Sequence, residues 1–177
     1  VSGLVWGWMY HPKGGLINTF IVSIGLMEKG PGWLSDRDLV LWSIIIVAIW
    51  RQVGYVMVLY LAGLKSINPQ LLDASTVDGA TGWQVFWHII LPLLTPVTVI
   101  VLVISVIDSL RAFDLVSVMT RGGPANASSV LANFMYIESF NNYKMGYGAA
   151  IAVILFMISL SFIALYLWRV MQDELEY

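Results

Sequence analysis

An all-α, polytopic bundle of membrane-spanning helices is the fold class that this sequence predicts, on three observations. Of 177 residues, 59% are hydrophobic and only 11% charged, with a mean hydropathy of +0.80. A soluble domain carries about a quarter charged residues, so this composition suits a chain whose surface meets lipid. Three almost uncharged runs are long enough to cross a bilayer: the 26 residues between Asp38 and Lys65, with Arg51 their only charge, the 19 between His88 and Asp108, and the 24 between Lys144 and Arg169. Roughly 20 residues at helical rise span the hydrocarbon core. Apolar side chains fill every face of these runs instead of alternating, which selects helices over a β-barrel.

Taken in order, residues 1–10 are apolar but too short to cross, and they open without methionine. They read as the end of an earlier helix, so the sequence is expected to be the C-terminal portion of a longer chain. Neither the basic segment nor the small-residue cleavage site of a signal peptide is present. Residues 14–27 suit a short interfacial or buried helix, and residues 28–38, with Gly30-Pro31-Gly32, suit a turn-rich loop.

Between the first two long runs lies a polar segment broken by glycine. Ile67-Asn68-Pro69 stops the preceding helix, residues 69–77 carry Leu71, Leu72, Ala74 and Val77 at helical spacing, and Asp78-Gly79 supplies a turn. A second short amphipathic helix follows, with Trp83, Phe86 and Trp87 at i, i+3 and i+4, so that their rings lie together at the membrane interface while Thr81, Gln84 and His88 face outward. Pro92 and Pro96 then fall near the start of the next span, where a missing N–H costs least. The product is a helix-turn-helix knob presenting Asp73, Ser75 and Asp78 to water. Two readings stand on these features: a docking surface for a soluble partner, or an ordinary polar connection.

The absent motifs narrow the function. No cysteine is present, which removes disulfides, thiolate metal sites and cysteine nucleophiles from these residues. His11 and His88 are too far apart to form a helical metal pair, and no His-Glu-x-x-His or Gly-x-Ser-x-Gly pattern occurs. No phosphate-binding loop ending in Gly-Lys-Ser/Thr occurs either, so any ATP is used by another subunit. A net charge of -2 leaves no nucleic-acid footprint. A polytopic membrane enzyme would need a catalytic constellation that these residues do not supply.

Polar residues inside spans are costly and therefore invite a functional reading. Gln52 and Tyr55 share a face of the first long run, and Ser105, Asp108 and Ser109 form a patch at i, i+3 and i+4 in the second. These five residues are candidates to line a solute path, because hydroxyl-rich solutes need such donors and acceptors. The competing reading makes Asp108, Arg111 and Asp114 ion-paired packing devices and pairs Arg51 with other helices. Gly122-Gly123-Pro124, with Asn126, Ser128 and Ser129, marks a turn-rich loop. Trp33, Trp42, Trp83, Trp87 and Trp168 lie near predicted span ends and read as interfacial anchors.

The segment Asp73-Ala74-Ser75, then Asp78-Gly79-Ala80, then Ile89-Ile90-Leu91-Pro92 resembles the signature loop of the permease subunits of binding-protein-dependent ABC importers. That pattern is Glu-Ala-Ala, three residues, Gly, nine residues, Ile-x-Leu-Pro. The spacing matches, while Asp73 stands for the family's Glu and Ser75 for its second Ala. The flanks resemble the carbohydrate branch, of maltose and glycerol-phosphate type: Gly15-Leu16-Ile17-Asn18, Ala62-Gly63-Leu64, Phe113-Asp114, Thr120-Arg121-Gly122-Gly123-Pro124, Tyr136, Phe140 and Gly146-Tyr147-Gly148-Ala149-Ala150 fall in the expected order.

The resemblance implies a single permease domain over residues 1–177, the C-terminal portion of a six-helix-type subunit, with residues 66–92 forming a cytoplasmic loop that docks on an ATPase. Within that loop Asp73, Ala74, Ser75, Asp78, Gly79, Ala80, Ile89, Leu91 and Pro92 would make up the coupling element. Asp73 would face a basic residue of the ATPase, and Gly79 would permit the sharp turn. The implied partners are ABC ATPase subunits, a second permease, an extracytoplasmic solute-binding protein and the lipid of the inner membrane. ATP belongs to a partner, and no cofactor is implied for this chain. The resemblance also implies that residues 116–145 are external and that the tail after Arg169 is cytoplasmic. Lys13, Lys29, Arg37, Arg121 and Lys144 then fall outside against Lys65 and Arg169 inside, opposite to the positive-inside tendency. The solute is expected to be a sugar, with a permease for another solute class as the alternative.

Overall fold

The structure is a computed structural model that describes the backbone of residues 1–174 and the side chains of residues 1–166. Among the described residues every regular element is helical. In chain order these are α1 (Ser2–Met9), α2 (Leu16–Ser23), α3 (Val40–Ser66), α4 (Pro69–Val77), α5 (Gly82–Val85), a π turn (Phe86–Ile90), α6 (Leu91–Leu93), α7 (Thr95–Leu110), α8 (Phe113–Met119), α9 (Leu131–Tyr136), a second π turn (Ile137–Asn141) and α10 (Met145–Glu174). The side chains of Trp168 and Arg169 lie outside the described residues, so the anchoring and tail expectations placed on them do too.

Among the described residues two helices, α3 and α10 over Met145–Tyr166, are long and apolar enough to cross a membrane, and only 11% of the most apolar stretch of each is buried within the chain. Such uncovered apolar faces fit lipid or further helices. The run expected to form the middle span is broken instead. Gly82–Leu93 and Thr95–Leu110 meet at Leu94 with a bend of 63°. Proline chemistry accounts for the break. Pro96 offers no N–H to the Pro92 carbonyl, and its ring crowds that carbonyl. Pro92 likewise offers none to His88, and just before it the helix widens into the π turn, where the Leu91 N–H reaches the Phe86 carbonyl. The prolines thus mark a corner within the run instead of its beginning.

The chain divides into two compact units, Val1–Arg51 with Ile107–Tyr177, and Gln52–Val106. The first has a core of Tyr10, Val40, Ile44, Val47, Leu115 and Val116, flanked by Trp6, Ile17, Trp33 and Met119. Burying one such aliphatic side chain stabilises by roughly 1.5–3 kcal/mol. The Tyr10 hydroxyl is satisfied by donating to the Ser43 carbonyl at 3.2 Å. Asn18 is 3% exposed. Its Oδ1 accepts from Trp33 Nε1 at 2.7 Å and its Nδ2 donates to the Pro31 carbonyl at 3.3 Å, tying α2 to the loop before α3. Trp33 is therefore a half-buried, hydrogen-bonded packing residue and not the lipid anchor that its position suggested. Trp42, in contrast, is 65% exposed, as an anchor should be.

In the same unit α10 lies against α9 and the second π turn. Gly148 makes that approach possible, because a Cβ there would collide with the Ser139 hydroxyl. In the second unit, the Tyr60 hydroxyl donates to Thr98 Oγ1 at 3.1 Å, and Thr98 Oγ1 donates to the Leu94 carbonyl at 2.9 Å. These bonds fasten α3 to the corner at Leu94, which is itself buried.

Candidate functional site

The knob is built by capping at each of its corners. Asn68 N-caps α4, its Oδ1 accepting from the Gln70 N–H at 3.0 Å, and Pro69 occupies the first helical position where its missing N–H costs nothing. At the other end the Gly79 N–H bonds to the Thr76 carbonyl at 3.1 Å and the Ala80 N–H to the Ser75 carbonyl at 3.0 Å, with Gly79 at φ +75°. This paired reverse bonding is a Schellman motif, which requires a left-handed residue just past the helix. Glycine adopts that conformation without steric cost. One residue further on, Thr81 opens α5 with a capping box, Thr81 Oγ1 accepting from the Gln84 N–H and Gln84 Oε1 accepting from the Thr81 N–H at 2.8 Å.

This scaffold projects a mixed surface. Asp73, Ala74 and Asp78 are exposed, Ala80 is half-buried, Val77 is 88% exposed and Leu71 48%. Ser75 departs from expectation, because it is 7% exposed and its hydroxyl donates to the Leu72 carbonyl at 2.7 Å. A serine in a helix can satisfy its hydroxyl on its own backbone, so polarity alone did not place it outward. Trp83, Phe86 and Trp87 form one ring cluster with centroids 5.5–6.1 Å apart, as their spacing required. Ile89 is half-buried while Leu91 and Pro92 are exposed on the way to the corner at Leu94.

The five solute-path candidates are distributed over the two units. Gln52, Tyr55 and Ser105 belong to one, Asp108 and Ser109 to the other. Tyr55, Asp108 and Ser109 are exposed, and Gln52 and Ser105 are half-buried. Just beyond, Arg111 and Asp114 line a cavity of about 560 Å³ together with Phe113, Tyr136, Phe156 and Ser159. A smaller cavity of about 300 Å³ is lined by Ser117, Arg121, Asn133, Tyr136, Ile137 and Asn141. Sequence reasoning did not single out Ser117, Asn133 or Asn141. The available signal was an asparagine inside the apolar run Leu131-Ala132-Asn133-Phe134-Met135. The Thr120–Pro124 turn is locked by Ser128, which is fully buried, lies 2.7 Å from Thr120 Oγ1 and donates to the Gly123 carbonyl at 2.6 Å.

Comparison with known proteins agrees with this architecture. The model of the family described as "Binding-protein-dependent transport system inner membrane component" matches residues 5–175. A probable ABC transporter permease protein of Pyrococcus horikoshii is 39% identical over 95% of this chain and 58% of its own length. The trehalose/maltose transport system permease protein of Thermococcus litoralis is 34% identical over 94% of this chain and 56% of its own. The crystal structure of a bacterial ABC transporter involved in import of the acidic polysaccharide alginate contains a chain that superposes with a TM-score of 0.80 at 26% identity, covering 93% of this chain and 57% of that one. The present chain therefore spans between half and two thirds of the length of these relatives. A family match over nearly all its residues establishes that the chain belongs to the inner membrane components of binding-protein-dependent transport systems.

Proposed function

We propose that this chain is a membrane-spanning subunit of an ATP-driven importer in the inner membrane, carrying a sugar or related polar solute. Residues 66–92 dock in the cytoplasm on ABC ATPase subunits, which bind and hydrolyse the ATP. A second permease completes the pathway, and an extracytoplasmic solute-binding protein delivers the cargo. The chain itself moves solute and has no catalytic residue. The observation that carries this reading is the knob: a rigid, doubly capped turn that holds Asp73, Val77 and Asp78 outward between two apolar runs. The Schellman motif and the capping box fix the shape of the turn, and Val77, 88% exposed, is left for a partner to cover. Rigid-body movement of a docked knob is the form of motion that alternating access uses.

The solute-path assignment to Gln52, Tyr55, Ser105, Asp108 and Ser109 rests on their residue types within apolar helices. The sugar assignment is supported by the maltose-type relative and by the carbohydrate-branch flanks.

Affinity purification of the full-length protein from its native membrane in mild detergent, with mass spectrometry of what accompanies it, tests the reading. Recovery of an ABC ATPase and a second permease is expected. Recovery of neither from a well-folded preparation would overturn it, and an accompanying binding protein specific for amino acids or phosphate would remove the sugar assignment alone.

A further inference from the structure

The cavity of about 560 Å³ lies wholly within the unit that holds α8, α9 and α10. Seven of its eleven lining residues, among them Phe113, Met135, Leu155 and Phe156, are apolar, which decides against a hydroxyl-rich solute, because a sugar here would leave hydroxyl groups unpaired. On α10 the contributing residues Ala152, Leu155, Phe156 and Ser159 stand at i, i+3, i+4 and i+7 and form one stripe about 10 Å long. The Ser159 hydroxyl adds little polarity to it, since it donates to the Leu155 carbonyl at 2.9 Å. Phe156 is 61% exposed, and only 11% of the most apolar stretch of α10 is buried, so the stripe opens on the face that this helix leaves to the membrane. A hydrocarbon chain suits such a surface.

Two charges interrupt the apolar wall. Arg111 and Asp114 stand three residues apart at the junction of α7 and α8; both are exposed, and among the described residues neither forms an ion pair. Charged side chains in a membrane are costly unless opposite charges meet them. A guanidinium takes a phosphate as a fork, and a carboxylate accepts from an ammonium. Together the two residues carry no net charge, so the matching headgroup is zwitterionic, whereas an anionic head would face the carboxylate with a like charge. A primary ammonium donates hydrogen bonds to a carboxylate, which a quaternary one cannot do. We propose that this cavity binds one phospholipid of the ethanolamine class, with its phosphate on Arg111, its ammonium on Asp114 and an acyl chain along the α10 stripe. The lipid then fills the space that α8, α9 and α10 leave between them.

The test is native mass spectrometry of the full-length protein, purified in mild detergent with the subunits that accompany it and titrated with phosphatidylethanolamine, phosphatidylglycerol and phosphatidylcholine of identical dioleoyl chains. Phosphatidylethanolamine is expected to bind more tightly than either of the others by on the order of tenfold, and Arg111→Gln is expected to weaken it by a similar factor. Asp114→Lys is expected to turn the preference to phosphatidylglycerol, a reversal that a misfolded subunit would not produce. Ala152→Phe, which fills the apolar stripe, is expected to weaken all three lipids while keeping their order. Phosphatidylethanolamine bound no more tightly than the other two, or a preference unmoved by Asp114→Lys, would overturn the proposal. So would release of the accompanying subunits by Arg111→Gln with lipid affinity kept, because the charges would then pair across a subunit contact. Bound lipid is counted on any assembly that contains this chain, so its failure and a failure to recover ATPase subunits are separate results.

Discussion

Gly79 shows how a single residue sets the shape of the knob. Its φ of +75° reverses the chain after α4, and nothing lies within 4 Å of where its Cβ would stand. Space is therefore not the constraint, whereas backbone conformation is: the left-handed region costs most L-residues about 1–2 kcal/mol, with Asn and Asp the usual exceptions. Gly79→Asp is accordingly expected to leave the chain folded and inserted while placing a new carboxylate on the face proposed to dock. ATP hydrolysis should continue with uptake lost, and a transport assay showing normal uptake would count against docking. Gly79 was legible in the sequence because Asp-Gly marks turns by a local mechanism. Ser75 was not, since the hydroxyl's choice between water and the Leu72 carbonyl depends on what covers that face.

Among elements, legibility followed how local the governing chemistry was. The bounds of α4 agree with the residues 69–77 marked by Asn68-Pro69 and Asp78-Gly79, which stop and cap a helix through their own backbones. The bend at Leu94 was hidden, because two prolines four residues apart are compatible with either a helix start or a corner. Packing of α3 against the corner, through Tyr60 and Thr98, selects the corner. On α7 the spacing of Ser105, Asp108 and Ser109 makes a polar stripe whose purpose the helix alone does not fix. A stripe that lines the solute path predicts that Asp108→Ala alters uptake without disturbing subunit assembly. Loss of assembly on a native gel would instead favour the ion-paired packing reading.

For the molecule as a whole, composition alone was decisive about the environment, since a chain with 11% charged residues cannot clothe itself in water-facing groups. The apolar flanks of α3 and α10 confirm that most of their surface is left for lipid or neighbours. The cavity over Asn133 lay beyond sequence reading for a different reason. Its wall joins α8, a left-handed turn, α9 and the second π turn, and only folding brings Ser117, Arg121 and Asn141 to one place. Arg121 and Tyr136 were already marked by the family resemblance, but as members of a pattern and without a common purpose.

The outward face of α4 and α5 also bears on the life of the subunit in the cell. Leu71 and Val77, at 48% and 88% exposed, stand bare wherever the knob is uncovered. Exposed apolar surface of this kind is what quality-control proteases and chaperones recognise. A surplus copy would therefore advertise its own solitude, and, with the knob docking as proposed, the number of subunits kept would follow the number of partners available to shield it. Pulse-chase labelling is expected to show faster turnover when the protein is made alone than with its partners, and equal lifetimes would contradict this form of stoichiometric control.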